Sequence, residues 1–219
     1  MQFFVKNHVT ELFPQADPFN QMGEFSELRA YLLAKLMWNP DYDVDKGIDE
    51  FLEGYYGQAA QPIRTYIDML HKKVKEEGIH MPHSVTPPHP LFSPDIMKRA
   101  NTLFDRAEQL ADNEEILFRV KVARLSIQYL DLFAVSEGAP ERKLLVDHFF
   151  EIADKAGIIY LGEGWGRDPY HMRTRKGNDF GKWNCPACSK LFVNFNNEEL
   201  EKVKTAHETI WCPILNAAD

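Results

Sequence analysis

Cysteine is scarce in this chain, three in 219 residues. Cys185, Cys188 and Cys212 cannot pair completely, which excludes a full disulfide framework and leaves a reduced chain as the expectation. Long apolar runs are missing as well. No stretch approaches the ~18 residues a membrane-spanning helix needs, and Met1 does not open a charged start followed by an apolar run. No membrane partner is expected, and the chain as written reads as cytoplasmic; were it cut from a longer secreted protein, the periplasm or cell surface would be its place. Basic charge is also short. Twenty-five Lys and Arg stand against 33 Asp and Glu, and the formal net charge of −8 repels phosphate, so no nucleic-acid partner is expected. The one basic stretch, Arg167, Arg173, Arg175, Lys176 and Lys182, is interrupted by Asp168 and Asp179 and reads as a solvated loop.

What is present points to helices. Hydrophobic residues at 44% and charged residues at 26% are ordinary for a folded globular protein. From Ser26, Leu28, Tyr31, Leu32, Leu33 and Leu36 recur at three and four residues, and Asn39 with Pro40 ends the run. Ser26 is the expected N-cap. Asp43 caps a second helix that runs to Gly57, and a third runs from Ala59 to Gly78. Between Ile79 and Pro94, five prolines and three histidines exclude a regular helix. Ser93 and Pro94 then restart one that reaches about Ala111. A long, broadly apolar run from Asn113 to Ser136 reads as central, and Pro140 opens a sixth helix closed by Gly157. A last helix is signalled from Asn197 to about Trp211. The expected class is mainly α: a bundle-like array of about six to seven helices, with a short irregular or β-like segment near residues 158–195, beginning at Ile158, Ile159, Tyr160 and Leu161.

Candidate chemistry gathers late in the chain. Cys185 and Cys188, with Pro186 and Ala187 between them, have zinc-knuckle spacing, and His207 and Cys212 would complete four ligands. Alone, one such pair is half a site, and packed or surface cysteines are the favoured reading over structural zinc, with a redox dithiol behind both. Gly162, Gly164 and Gly166 surround Glu163 and Trp165 without the spacing of a dinucleotide fingerprint or a P-loop. Glu163, Trp165 and Tyr170 are the substrate-binding candidates, since aromatic faces can stack on sugar rings; core packing is the competing use of the aromatics. Glu24, Glu27, Glu53 and Glu163 cannot be ranked as a catalytic pair without geometry. His80, His83 and His89 lie in the proline-rich crossing without a nearby carboxylate at ligand spacing and read as solvated. No cofactor is expected.

The run Glu27, Leu28, Arg29, Ala30, Tyr31, Leu32, Leu33, Ala34, Lys35, Leu36, Met37, Trp38, Asn39, Pro40, Asp41, continued by Asp49 to Gly57, resembles the domain of unknown function 4838 family over residues 26–70. Arg119 to Tyr129 is similar to a later helix of the family, which would carry the likeness to about Gly164. Members resembling glycoside hydrolase family 163 place an (α/β)₈-type barrel before this helical region, and the family is associated with bacterial breakdown of complex glycans. The resemblance implies that residues 1–22 are the remnant of a preceding barrel with Leu12 and Phe13 in its last strand, that 23–164 form a helical domain, and that 165–219 are an irregular tail with one helix. Pro14 and Ala16 stand near Gln15, where members carry an acidic residue and glycine. A chain with one barrel strand cannot assemble a barrel active site. The implied role is therefore a non-catalytic, structural or accessory module of a carbohydrate-active protein. Its expected partners are a barrel domain of the same or a longer protein, the glycan substrate of the parent family, and a second copy in a homodimer through exposed apolar helix faces. The alternatives are a small glycan-processing hydrolase using the 162–170 loop and a zinc-stabilised interaction domain.

Overall fold

A computed structural model describes residues 1–14, 23–80, 89–135 and 139–158. Among these, α1 spans Gln2–Lys6, α2 Ser26–Trp38, α3 Val44–Tyr56, α4 Ala60–Glu77, α5 Pro94–Leu110, α6 Glu114–Ala134 and α7 Pro140–Lys155. Two 3-10 turns, Gly57–Ala59 and Pro90–Phe92, complete the regular structure, and the described residues contain no strand. The mainly α, multi-helix class stands. The residues beyond Ile158 that carry the β-like expectation, and the helix expected from Asn197, lie outside the described residues.

Helix starts follow local chemistry. Asp43 Oδ1 accepts the Lys46 amide at 3.1 Å and Asn113 Oδ1 accepts the Ile116 amide at 2.9 Å, each meeting a donor that has no partner inside its own helix. Gly78 closes α4 in the left-handed region at φ 60°. Gly57, at φ 53°, turns α3 into α4, and a Cβ there would stand 3.1 Å from Ile116 Cδ1 on α6. Ser26 departs from expectation. It is the first residue of α2 rather than its cap, its hydroxyl faces Glu27 Oε2 at 3.2 Å, and no side chain caps the helix. Phe25 precedes it at φ 49°, a left-handed conformation that costs a non-glycine residue about 1–2 kcal/mol. The adjacent Glu24 supplies an offset: Tyr66 on α4 donates to its Oε1 at 2.5 Å and Ser126 on α6 lies 3.1 Å from the same oxygen.

Helices pack in chain order, α2 on α3, α3 on α4, α4 on α5 and α5 on α6, while α3 also meets α6 and closes the array. The core they share includes Leu52, Ile63, Tyr66, Phe104, Val120 and Ile127, with Ala59, Ala100 and Ala107 fully enclosed where helices approach closely. The Tyr66 and Phe104 rings meet at 5.1 Å and 60°. Each large side chain so enclosed contributes roughly 1.5–3 kcal/mol. α1 packs on no other described helix; Gln2 ties it through its amide nitrogen to the Pro40 carbonyl at 3.1 Å and to the Asp41 carboxylate. Leu12 and Phe13 lie in irregular backbone, since a strand needs a neighbour to pair with and the described residues offer none.

The chain divides into two compact units, Met1–Gln15 with Glu24–Leu145, and Ala16–Gly23 with Val146–Asp219. The division falls inside α7. In the first unit Arg142 donates to the carbonyls of Leu132 and Val135, the latter at 2.8 Å, which joins the start of α7 to the end of α6. In the second, Val146, Phe149, Phe150, Ile152 and Ala153 are buried, and the Phe149 and Phe150 rings meet edge to face at 5.2 Å.

If this core holds the first unit together, Phe104→Ala lowers the unfolding free energy by about 3–5 kcal/mol, whereas Asn113→Ala costs about 1 kcal/mol. Denaturant titration by helical circular dichroism separates the two; equal losses would show that Phe104 is not central.

Candidate functional site

None of the late-chain candidates is available to build a site from. Glu163, Trp165, Tyr170, Cys185, Cys188, His207 and Cys212 all lie outside the described residues, as does His83. His80 is exposed, and His89 uses Nδ1 to accept the Leu91 amide at 3.3 Å, a structural cap on the 3-10 turn. Among the described residues no group of three or more His, Cys, Asp or Glu side chains is arranged to hold a metal ion.

One charged cluster surrounds Arg64. Its guanidinium meets Asp45 at 2.9 Å, Asp49 at 3.2 Å and Asp68 at 3.0 Å. Burial opposes the charge, but the hydrogen bonds that Arg64 donates to Asp45 and Asp68 and the surrounding carboxylates outweigh it and raise the Arg64 pKa. Beside it a groove of about 520 Å³ is lined by Asp49, Glu53, Gln58, Gln61 and Arg64 among others. The cation is compensated three times over, so an incoming anion would have to displace a carboxylate. No aromatic ring lines the groove, so a sugar would find no flat apolar face to stack on. Glu53, one of the unranked carboxylates, is here; Glu24 belongs to the Tyr66 and Ser126 network; Glu27 is exposed in the first turn of α2.

A second polar cluster, unforeseen from the sequence, lies between α5 and α6. Arg124 meets Asp105 at 2.7 Å and Glu108 at 2.8 Å, and donates to Asn101 Oδ1 at 2.8 Å. Asn101 in turn donates to Asp131 at 3.0 Å. Burial raises the Asp131 pKa, against the opposing pull of Asn101 and Arg124. Arg124 Nε and Gln128 Oε1 are buried without a hydrogen-bond partner, each an omission that costs about 1–3 kcal/mol. The signal was in the spacing: Asn101, Asp105 and Glu108 on one helix and Arg124, Gln128 and Asp131 on the next both run i, i+4, i+7, two polar stripes made to face each other. Asp131 could hold a proton, but it sits in a packed seam against an amide, with no nucleophile shown beside it. A proton donor works only within reach of a substrate.

The third feature is apolar. α2 carries apolar residues on its outer as well as its inner side, yet its one helix neighbour among the described elements is α3 and its one buried residue is Leu28. Leu28, Tyr31, Leu32, Lys35 and Leu36 form the inward arc; Ala30, Leu33, Ala34, Met37 and Trp38 are exposed. The inward arc is pinned by rings, with Tyr31 against Phe51 at 5.4 Å and the Lys35 ammonium 5.1 and 5.2 Å from the Tyr31 and Tyr42 ring centres. Trp38 is 92% exposed, and Phe3 on the neighbouring α1 is 71% exposed. Gln2 sets α1 beside the turn that follows α2, through the Pro40 carbonyl and the Asp41 carboxylate. Sequence reading found the inward stripe and the tendency to expose an apolar face. It did not find α1.

Residues 1–68 match the family model described as Domain of unknown function (DUF4838). The match takes in α1, α2 and α3 and ends inside α4, short of Arg119 to Tyr129. No curated protein and no solved structure matches the chain. No helix among the described residues is long and apolar enough to cross a membrane.

Buried tyrosines set an alkaline limit on the fold. Burial, then the charge of Glu24, pushes the Tyr66 pKa well above its ordinary value, and burial does the same for Tyr56. A pKa raised in the folded state gives stability that is fully present below the unfolded value near pH ~10 and is lost as pH rises beyond it. Unfolding midpoints in denaturant should therefore hold through neutral pH and fall above about pH 10, and Tyr66→Phe should make that fall shallower. Tyrosinate absorbance followed with helical circular dichroism checks this; ionisation of every tyrosine with the helices intact would contradict it.

Proposed function

We propose that this chain, whose residues 1–68 match the DUF4838 model, is a non-catalytic helical module of a bacterial glycoside-hydrolase-like, carbohydrate-active protein. It works by docking. The observation that carries the reading is the apolar surface of α1 and α2: among the described residues, six of the eleven large hydrophobic residues that stand exposed are Phe3, Phe4 and Val5 on α1 and Leu33, Met37 and Trp38 on α2, all within the matched segment. A helix that carries apolar residues on its outer face as well as its inner one belongs against neighbours on more than one side, and exposed apolar side chains grouped in this way mark interaction surfaces. The described charged clusters point the same way. Arg64 and Arg124 are each neutralised by carboxylates of their own unit, which suits a scaffold more than a site that must receive substrate.

On this reading the glycan chemistry belongs to a barrel domain of the same or a longer protein, and the helices buttress it or wall one end of its cleft. The barrel and the glycan enter through the family resemblance. The docking surface rests on the exposed residues themselves.

The test has two arms. The purified chain should turn over no member of an aryl-glycoside panel; turnover that disappears in Glu163→Gln would overturn the accessory role and favour a hydrolase built on the 162–170 loop. A polarity-sensitive fluorescent dye should bind the chain, and Trp38→Ser with Phe3→Ser should cut that binding at least about threefold while the thermal midpoint stays within a few degrees, as expected for exposed positions. Loss of the fold in that variant would show that these side chains serve the core.

A further inference from the structure

We infer that Asp131 is a proton-binding site that fastens α6 to α5 more firmly as the medium turns acidic, the proton bridging Asp131 to Gln128 on the same helix. The inference stands apart from the docking role, since α2 packs on α3 and on neither helix of this seam. Charge is the first ground for it. Across the seam one guanidinium serves three carboxylates. Arg124 turns Nη1 to Asp105 at 2.7 Å and Glu108 at 2.8 Å, and Nη2 to Asn101 Oδ1 at 2.8 Å. Asp131 is reached only through Asn101, whose amide nitrogen donates to Asp131 Oδ2 at 3.0 Å and to the Met97 carbonyl at 3.2 Å. A half-buried carboxylate held by one neutral donor is poorly compensated, and a proton removes its charge.

The second ground is a missing donor. Gln128 Oε1 is buried with no hydrogen-bond partner among the described residues. Gln128 stands one turn before Asp131, at the i, i+3 spacing that sets two side chains on one helix face. An ionised carboxylate only accepts, whereas a protonated one carries an O–H. A proton taken from water onto Asp131 Oδ1 gives Gln128 its donor and leaves the Asn101 bond on Oδ2 in place. No other charged group of the packed elements takes this role. Lys98, one turn before Asn101 on α5, is exposed, and Arg142 at the start of α7 donates to the Leu132 and Val135 carbonyls. Glu24 meets α6 at Ser126; α3 meets it at Arg119, which donates to the Tyr55 carbonyl, and the Gly57–Ala59 turn meets it at Ile116. Burial accordingly pushes the Asp131 carboxyl up from the usual aspartate range, against Asn101 and Arg124. With the folded value raised, the stability the proton contributes is fully present below the unfolded value, ~3.9, and is lost as pH rises through the folded one.

Carboxyl carbon-13 NMR on the full chain reads the proton directly: Asp131 should titrate above the usual aspartate value. Gln128→Met keeps the volume and removes the acceptor, so it should move that titration back toward the usual value. Thermal midpoints then compare the natural chain with Asp131→Asn, whose neutral amide supplies the same donor at every pH. Other carboxylates take up protons in both chains and drop out of the difference. The variant should melt about 2–4 °C higher at pH ~7.5, and the gap should close to within about 1 °C at pH ~4. Asp131 titrating at or below the usual value, a gap that does not change with pH, or a Gln128→Met chain whose Asp131 titrates as before overturns the inference. The NMR titration of the unaltered chain decides the matter even where a variant fails to fold.

Discussion

A helix hides only the side it turns toward a neighbour, and α2 has apolar side chains on more sides than it has neighbours among the described residues. Leu28, Leu32 and Leu36 turn inward, and the rings of Tyr31 and Tyr42, each about 5 Å from the Lys35 ammonium, complete the seam toward α3. That arrangement uses about half the circumference. The other half, from Ala30 through Trp38, stays in water at a cost set by its area, about 25 cal/mol for each Å². A chain that only had to fold could place polar residues there at no loss to its core, as α4 does with Lys72, Lys75 and Glu76. The apolar outer arc is therefore best explained by something that covers it.

The rest of the first unit makes that arc a fixed surface. Glu24, just ahead of α2, is held by Tyr66 from α4 and lies beside Ser126 from α6, so the entry to α2 is tied to two helices it does not pack against. Phe25 accepts a left-handed backbone in consequence, and its ring lies 6.1 Å from that of Tyr66. Strain at a helix entrance persists only where the surroundings over-determine it. Here Tyr66 does so twice, through its hydroxyl and through its ring, while the same ring packs on Phe104 at the centre of the core. One tyrosine thus connects the stability of α4, α5 and α6 to the direction in which α2 leaves.

What could be read before the structure follows the range of the interactions involved. Asp43, Asn113, Gly57 and Gly78 act within a few residues of themselves, so the limits of α3, α4 and α6 were legible to within a residue or two. Ser26 misled because its local preference as a cap lost to Glu24, whose partners lie 42 and 102 positions away. Five-residue α1 was hidden for a related reason: it buries nothing, so no apolar stripe announces it, and one glutamine holds it in place. The α5 and α6 polar seam was legible in principle, since its two stripes share one spacing, but a polar residue at helical spacing is ordinarily read as solvent-facing. Of the site candidates named from sequence, those at 163–212 concern residues the structure does not describe, so the geometry argued here owes nothing to them.

The two arginine clusters clarify what kind of surface the module offers. Breaking a half-buried ion pair leaves an uncompensated charge, so Arg124 with Asp105, Glu108 and Asn101 locks α5 against α6 in one register. Arg64 ties α3 to α4 through Asp45 and Asp49 and also pairs with Asp68 on its own helix, in a more exposed setting where each pair contributes less. Both clusters spend their charge on neighbouring helices, and neither presents it to a visitor. The apolar arc of α2 is the reverse, for its side chains gain little from the unit they belong to. Charge fixes how the helices meet one another, and exposed carbon surface is what remains for a partner to meet.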